Sequence, residues 1–134
     1  MKYSQAIGVA AILFLWASCF MPWITVPVKE NLVTLSGVNG RVHEDLTLGK
    51  PIIFYMVFGL LSAALFCTPK IWAKRTNIFI AAILLSLTIF YHLSFTFCRQ
   101  AVCPNLLLGV WLQIPLGLLI LTMSLLPKLR VSVK

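Results

Sequence analysis

A chain of 134 residues that is 60% hydrophobic and only 10% charged, with a mean hydropathy of +0.99, is not an ordinary water-soluble domain, whose composition is about 25% charged. The net charge of +8 raises nucleic acid as a partner, but the basic residues lie in short segments between apolar runs. Charge arranged in this way reads as membrane topology and argues against a nucleic-acid surface.

Four apolar runs, at 6–20, 52–67, 78–97 and 106–126, each approach the roughly 20 residues needed to cross a hydrocarbon core of about 30 Å. The sequence therefore predicts an all-α membrane protein. Its architecture is a four-transmembrane-helix bundle with a small β-hairpin or sheet in the first extracytoplasmic loop. One membrane domain, 1–134, divides into spans at about 5–23, 51–68, 77–97 and 105–126, an outer loop 24–50, an inner turn 69–76, an outer turn 98–104 and a tail 127–134. With both termini inside, Lys2, Lys70, Lys74, Arg75, Lys128, Arg130 and Lys134 are cytoplasmic. Lys29, Arg41, Lys50 and Arg99 are outside, a split of seven against four among the 11 basic residues. This is a positive-inside bias, and contact of the basic side with anionic headgroups follows from it.

The first run follows Met1-Lys2-Tyr3 and includes Leu15-Trp16-Ala17-Ser18-Cys19, which loosely resembles a lipoprotein cleavage box. Trp16 stands where that box wants Leu, and Phe20-Met21 continues the apolar run, so an uncleaved span is expected in preference to lipidation at Cys19. Pro22-Trp23 ends it, with Trp23 at headgroup level. In the loop, Ile24, Val26 and Val28 alternate with Thr25 and Pro27, and 32–36 is rich in β-branched residues; both read as strands. Asn39-Gly40 is a hairpin signal, leading to a third strand from Arg41 to about Leu48. An irregular surface loop is the alternative, because short hairpins are marginal alone.

Pro51 opens the second span at a tolerated first-turn position, and Gly59 and Ala63 put small residues on one face. The inner turn carries Trp72, an interface anchor, with Thr76 or Asn77 expected to cap the third span. The third span turns polar in its outer third at Tyr91, His92, Ser94 and Thr96. The fourth begins after Pro104, carries Trp111 as a further interface anchor, and places Gly109, Gln113 and Gly117 on one face. Pro115 should bend it near its middle.

Three groups are chemically suggestive. Cys98 and Cys103 frame the outer turn, where an oxidising compartment favours a disulfide that pins it; a redox-active pair and free or metal-bound thiols are the alternatives. Cys19 is a third thiol near the same side, whereas Cys67 is at the other end. Tyr55, Tyr91, His92, Ser94 and Gln113 form a candidate polar pocket if their faces converge. An ionisable group at membrane depth is a functional hypothesis, and a His sharing a hydrogen bond with a neighbouring helix is the bland reading. His43-Glu44-Asp45 alternates sides along a strand and reads as a solvated turn before a cation site. No nucleophile–base pair, phosphate loop or zinc pattern is present, so no catalytic residue, metal or cofactor is expected.

Cys-Phe-Met-Pro-Trp at 19–23, Ser-Gly-Val-Asn-Gly at 36–40, Pro-Lys-Ile-Trp-Ala-Lys-Arg-Thr-Asn at 69–77 and Cys-x4-Cys-Pro at 98–104 together resemble uncharacterised small four-span bacterial membrane proteins. That resemblance implies a bacterial plasma membrane location and no particular activity. The strand-rich first loop entered through a Trp is similar, in topology, to claudin and other tetraspan proteins, although the loop lacks the claudin cysteines. Four-span disulfide-generating proteins share the topology but use two outer cysteine pairs; this chain has one.

The expected role is a non-enzymatic accessory, scaffold or interaction protein whose partners are the bilayer and a membrane protein or a second copy. Small-molecule or lipid binding or transport through the outer polar pocket is the first alternative, and thiol–disulfide redox chemistry the second.

Overall fold

The computed structural model describes residues 3–28, 31–39, 41–43, 46–47, 50–97 and 103–126. Four helices, α1 (Ser4–Phe20), α2 (Pro51–Cys67), α3 (Ile71–Thr96) and α4 (Leu108–Leu125), form the body. α1 packs on α2 and α4, and α3 packs on α2 and α4. The helices run up and down around a ring, with a small sheet at one end.

Proline sets most of the helix limits. A residue before proline is pushed out of the helical region: Met21, ahead of Pro22, is extended at φ −73° and ψ 157°. Thr68, ahead of Pro69, is extended at φ −87° and ψ 117°. α1 therefore stops at Phe20 and does not reach the expected 23. Nothing between Ile71 and Asn77 breaks a helix, so α3 starts six residues before the expected 77 and spans 26 residues. The inner connection shrinks from the expected 69–76 to Thr68-Pro69-Lys70. Thr76 and Asn77 do not cap α3; Thr76 Oγ1 donates to the Trp72 carbonyl at 3.0 Å, inside the helix. α3 and α4 are long and apolar enough to cross a membrane, whereas α1 and α2, at 17 residues each, are shorter apolar helices.

The sheet differs from the expected one in its third strand. β1 (Pro22–Val28) and β2 (Asn31–Ser36) pair antiparallel from Val28↔Asn31 to Pro22↔Ser36. β3 (Arg41–His43) pairs instead with β4 (Leu46–Thr47) in a separate ladder. The expected Asn39-Gly40 turn lies partly outside the described residues. The third strand is β5 (Asn105–Leu106), which enters from the α3–α4 connection and pairs Ile24↔Leu106 and Thr25↔Asn105, giving the order β2-β1-β5. Pro27 falls beyond the reach of β5, where one side of β1 is open and a missing donor is tolerated.

One sheet face closes the bundle: Ile24, Val26 and Leu35 are buried, with Val33 and Leu106 packed against them. Because the side-chain period of a strand is two, Ile24 opposite Leu35 and Val26 opposite Val33 place one apolar face inward. A register shift between Pro22 and Ile24 interrupts this pattern, and such a bulge lets the neighbouring Trp23 turn inward as well.

The bundle buries several polar side chains within an apolar core and leaves large apolar side chains exposed. Ser18, Ser62, Asn77, Thr88, Gln113 and Ser124 are buried, while Phe14, Phe54, Phe79, Phe90 and Leu118 are exposed. The expected Cys98–Cys103 pairing, the His43-Glu44-Asp45 turn and the tail 127–134 fall wholly or partly outside the described residues.

Candidate functional site

Trp23 occupies the junction between sheet and bundle. The sequence placed it at the surface as an interface anchor. The structure buries it, at 1% exposure, where the register shift turns it against Tyr55, Tyr91 and Phe95. Its indole Nε1 donates to the Ser18 carbonyl at 2.8 Å, an acceptor it shares with the Met21 amide that closes the last turn of α1 at 3.2 Å. Its ring meets Tyr55 edge-on at 6.3 Å, Tyr91 at 6.3 Å and Phe95 at 6.0 Å between centroids. These are the offset and edge arrangements that aromatic quadrupoles favour.

Two glycines make room for this ring. A Cβ on Gly37 would lie 2.6 Å from Trp23 Cζ2, and one on Gly109 would lie 2.7 Å from Trp23 Cδ1 and 2.6 Å from the Pro22 carbonyl oxygen. Gly109 thus receives the tryptophan and not, as expected, a neighbouring helix. Two backbone bonds complete the seam: Leu107 N donates to the Trp23 carbonyl at 2.7 Å and Ile52 N to the Gly37 carbonyl at 3.2 Å. They tie the starts of α4 and α2 to the sheet.

The other small residues pack between helices of the same chain. Gly59 on α2 faces Trp16 of α1, whose Nε1 would lie 2.6 Å from an added Cβ and which donates to the Tyr55 carbonyl at 2.9 Å. Gly117 on α4 sits against Leu85 and Thr88 of α3. Ala63 is half-buried on α2, packed against the core.

The five polar-pocket candidates separate into three places. Tyr55 and Tyr91 share the aromatic cluster, 6.1 Å apart. Gln113 is buried on the opposite wall, where Nε2 donates to Ser18 Oγ at 3.4 Å. His92 packs edge-on against Trp111, 4.8 Å between centroids, and Ser94 is half-buried on the same helix. Among the described residues, no hydrogen bond joins any of the five to another, and Trp23 packs against the two tyrosines. The Tyr55 hydroxyl and His92 Nδ1 are buried without a hydrogen-bond partner. A groove of about 570 Å³ does open between α1 and α4, lined by Phe14, Ala17, Ser18, Met21, Leu112 and Pro115 among others; its walls are apolar apart from Ser18 and hold none of the five.

Trp111 and Trp72 are exposed. Cys19 is buried and its Sγ donates to the Leu15 carbonyl at 3.4 Å; Cys67 is free and exposed. Three contributors escaped sequence reading: Trp16, Gly37, and the Ser62 Oγ donation to Asn77 Oδ1 at 2.7 Å that clasps α2 to α3. The signal for the first was available, since a large Trp16 on one span and a small Gly59 on the next are complementary in volume. Comparison with family models, curated proteins and solved structures finds no match to this chain.

Proposed function

We propose that the protein is a non-enzymatic integral membrane scaffold or accessory subunit, a four-span bundle whose sheet stands on the non-cytoplasmic side and engages another membrane protein. The observation that carries the membrane half is the apolar outer surface of all four helices around buried Ser62, Asn77, Thr88 and Gln113. Water-soluble monomers seldom expose contiguous apolar patches beyond a few hundred Å². In a bilayer that surface is solvated by lipid, and the polar groups must find partners within the bundle. Strand geometry extends the short α1: it continues directly into β1, so the 17-residue helix ends where the sheet begins. In this reading Cys98 and Cys103 close the second outer turn with a disulfide.

The rigid seating of the sheet supports the interaction half. Trp23, its two glycines and two backbone bonds hold the sheet as one body with the helices. β2 forms one edge of that sheet, and Leu32 on it is 73% exposed. Such an edge is a template for contact with another chain. The glycine-rich helix faces are already filled within the chain, which moves the expected contact away from them and onto the sheet and the outer helix surfaces.

Purification of the tagged protein in mild detergent, with mass spectrometry of what accompanies it, tests this. A stoichiometric membrane-protein partner, lost on Leu32→Lys while the monomer stays folded, is expected. A second reading, binding of a small molecule or lipid, is favoured by the unpaired Tyr55 hydroxyl and His92 Nδ1. Recovery of the protein with a specific small molecule and no protein partner would replace the scaffold reading with that one.

A further inference from the structure

We infer that the exposed face at the start of α3, formed by Lys70, Trp72, Arg75, Thr76 and Phe79, is a docking surface for an anionic phospholipid of the cytoplasmic leaflet. The inference rests on the membrane reading above and adds a partner and a place. α3 has 26 residues, about 39 Å at 1.5 Å per residue, against a hydrocarbon core of about 30 Å. Its apolar stretch begins at Ile78, so the turns from Ile71 to Asn77 stand at the headgroup level. Their outer side is ordered along the helix. Trp72, Arg75, Thr76 and Phe79 follow the i, i+3, i+4, i+7 spacing that shares one face, and all four are exposed. Phe79, 71% exposed, lies at acyl depth; Arg75 lies one turn nearer the surface, and Trp72 at the rim is 59% exposed.

Charge complementarity decides the occupant. Lys70 and Arg75 are exposed, and Lys74 adds a third positive charge between them. The chain's three acidic residues, Glu30, Glu44 and Asp45, all precede α2 in the sequence, and none follows Asp45. A guanidinium presents its donors in a fork suited to phosphate oxygens, and Trp72 offers an indole that prefers the same depth. A zwitterionic lipid places a choline or ethanolamine beside the same cations and gains less.

The test uses the detergent-purified full chain, offered equal amounts of phosphatidylglycerol and phosphatidylcholine with identical acyl chains and read by native mass spectrometry. Each cation near an anionic surface is worth about fivefold in affinity. The wild type should hold phosphatidylglycerol more than tenfold over phosphatidylcholine, and the Lys70→Gln/Arg75→Gln variant should lose most of that preference with unchanged thermal unfolding. Equal retention by the wild type, or full preference in the variant, overturns the inference. Displacement of phosphatidylglycerol by millimolar inorganic phosphate alone reassigns the surface to a free anion and also overturns it. A protein that stays in the membrane fraction but shows no preference sinks only this inference; recovery from the soluble fraction of cells sinks the membrane reading with it.

Discussion

At the residue scale, the structure converges on Trp23. Its indole donates to the end of α1, its ring packs against Tyr55, Tyr91 and Phe95, and its backbone carbonyl accepts the Leu107 amide. A buried Trp replaced by Ala costs about 3–5 kcal/mol through lost transfer energy and the cavity left behind. Trp23→Ala should lower stability by that amount in reversible detergent unfolding, while Trp111→Ala, at a side chain more than half exposed, should change it by under about 1 kcal/mol. Equal effects at the two positions would mean that Trp23 is not the centre of the fold. The sequence located Trp23 at the end of the first span but could not tell its direction. That direction depends on a one-residue bulge whose partner, Ser36, lies 14 positions away in the chain. The same limit applied to the polar pocket: Tyr91 and His92 are adjacent in sequence, yet they face different neighbours, Trp23 and Trp111.

At the element scale, helix identity was legible and strand partnership was not. The apolar runs and the prolines at 22, 51 and 69 located four helices, because proline acts locally. The start of α3 was misplaced because charged and polar residues from Lys70 to Asn77 suggested a turn, although none of them disfavours a helix strongly. The third strand was misassigned because β5 is only two residues long, too short for alternation to register, and its partner β1 lies 80 residues earlier. The α1–α2 contact offers a test at this scale. A methyl on Gly59 must displace Trp16, whose indole would otherwise lie 2.6 Å away and is held by the Tyr55 carbonyl. Gly59→Ala should destabilise by about 1–3 kcal/mol, the range for overpacking. Adding Trp16→Leu should recover part of the loss, giving a favourable coupling in the double-mutant cycle. Independent, additive effects would show that the two side chains do not meet.

At the scale of the whole molecule, two independent arrangements agree with one orientation in a bilayer. The sheet lies at one end of the bundle, at the start of α2, and Lys70, Lys74 and Arg75 lie at the other, beyond the end of α2. The outer helix surfaces between those ends are apolar. Each arrangement was present in composition and run length, since both depend on residue type and order alone; how the interior is filled depends on contacts between distant residues and emerges only in the folded chain. The orientation and the embedding are tested together by a membrane-impermeant maleimide applied to intact cells, scored as labelling gained over the parent protein. Leu32→Cys on β2 should gain one adduct without permeabilisation, and Arg75→Cys on α3 should gain one only after the membrane is opened. Labelling of both in intact cells, or of Leu32→Cys only after permeabilisation, would contradict a bundle that spans the bilayer with its sheet outside.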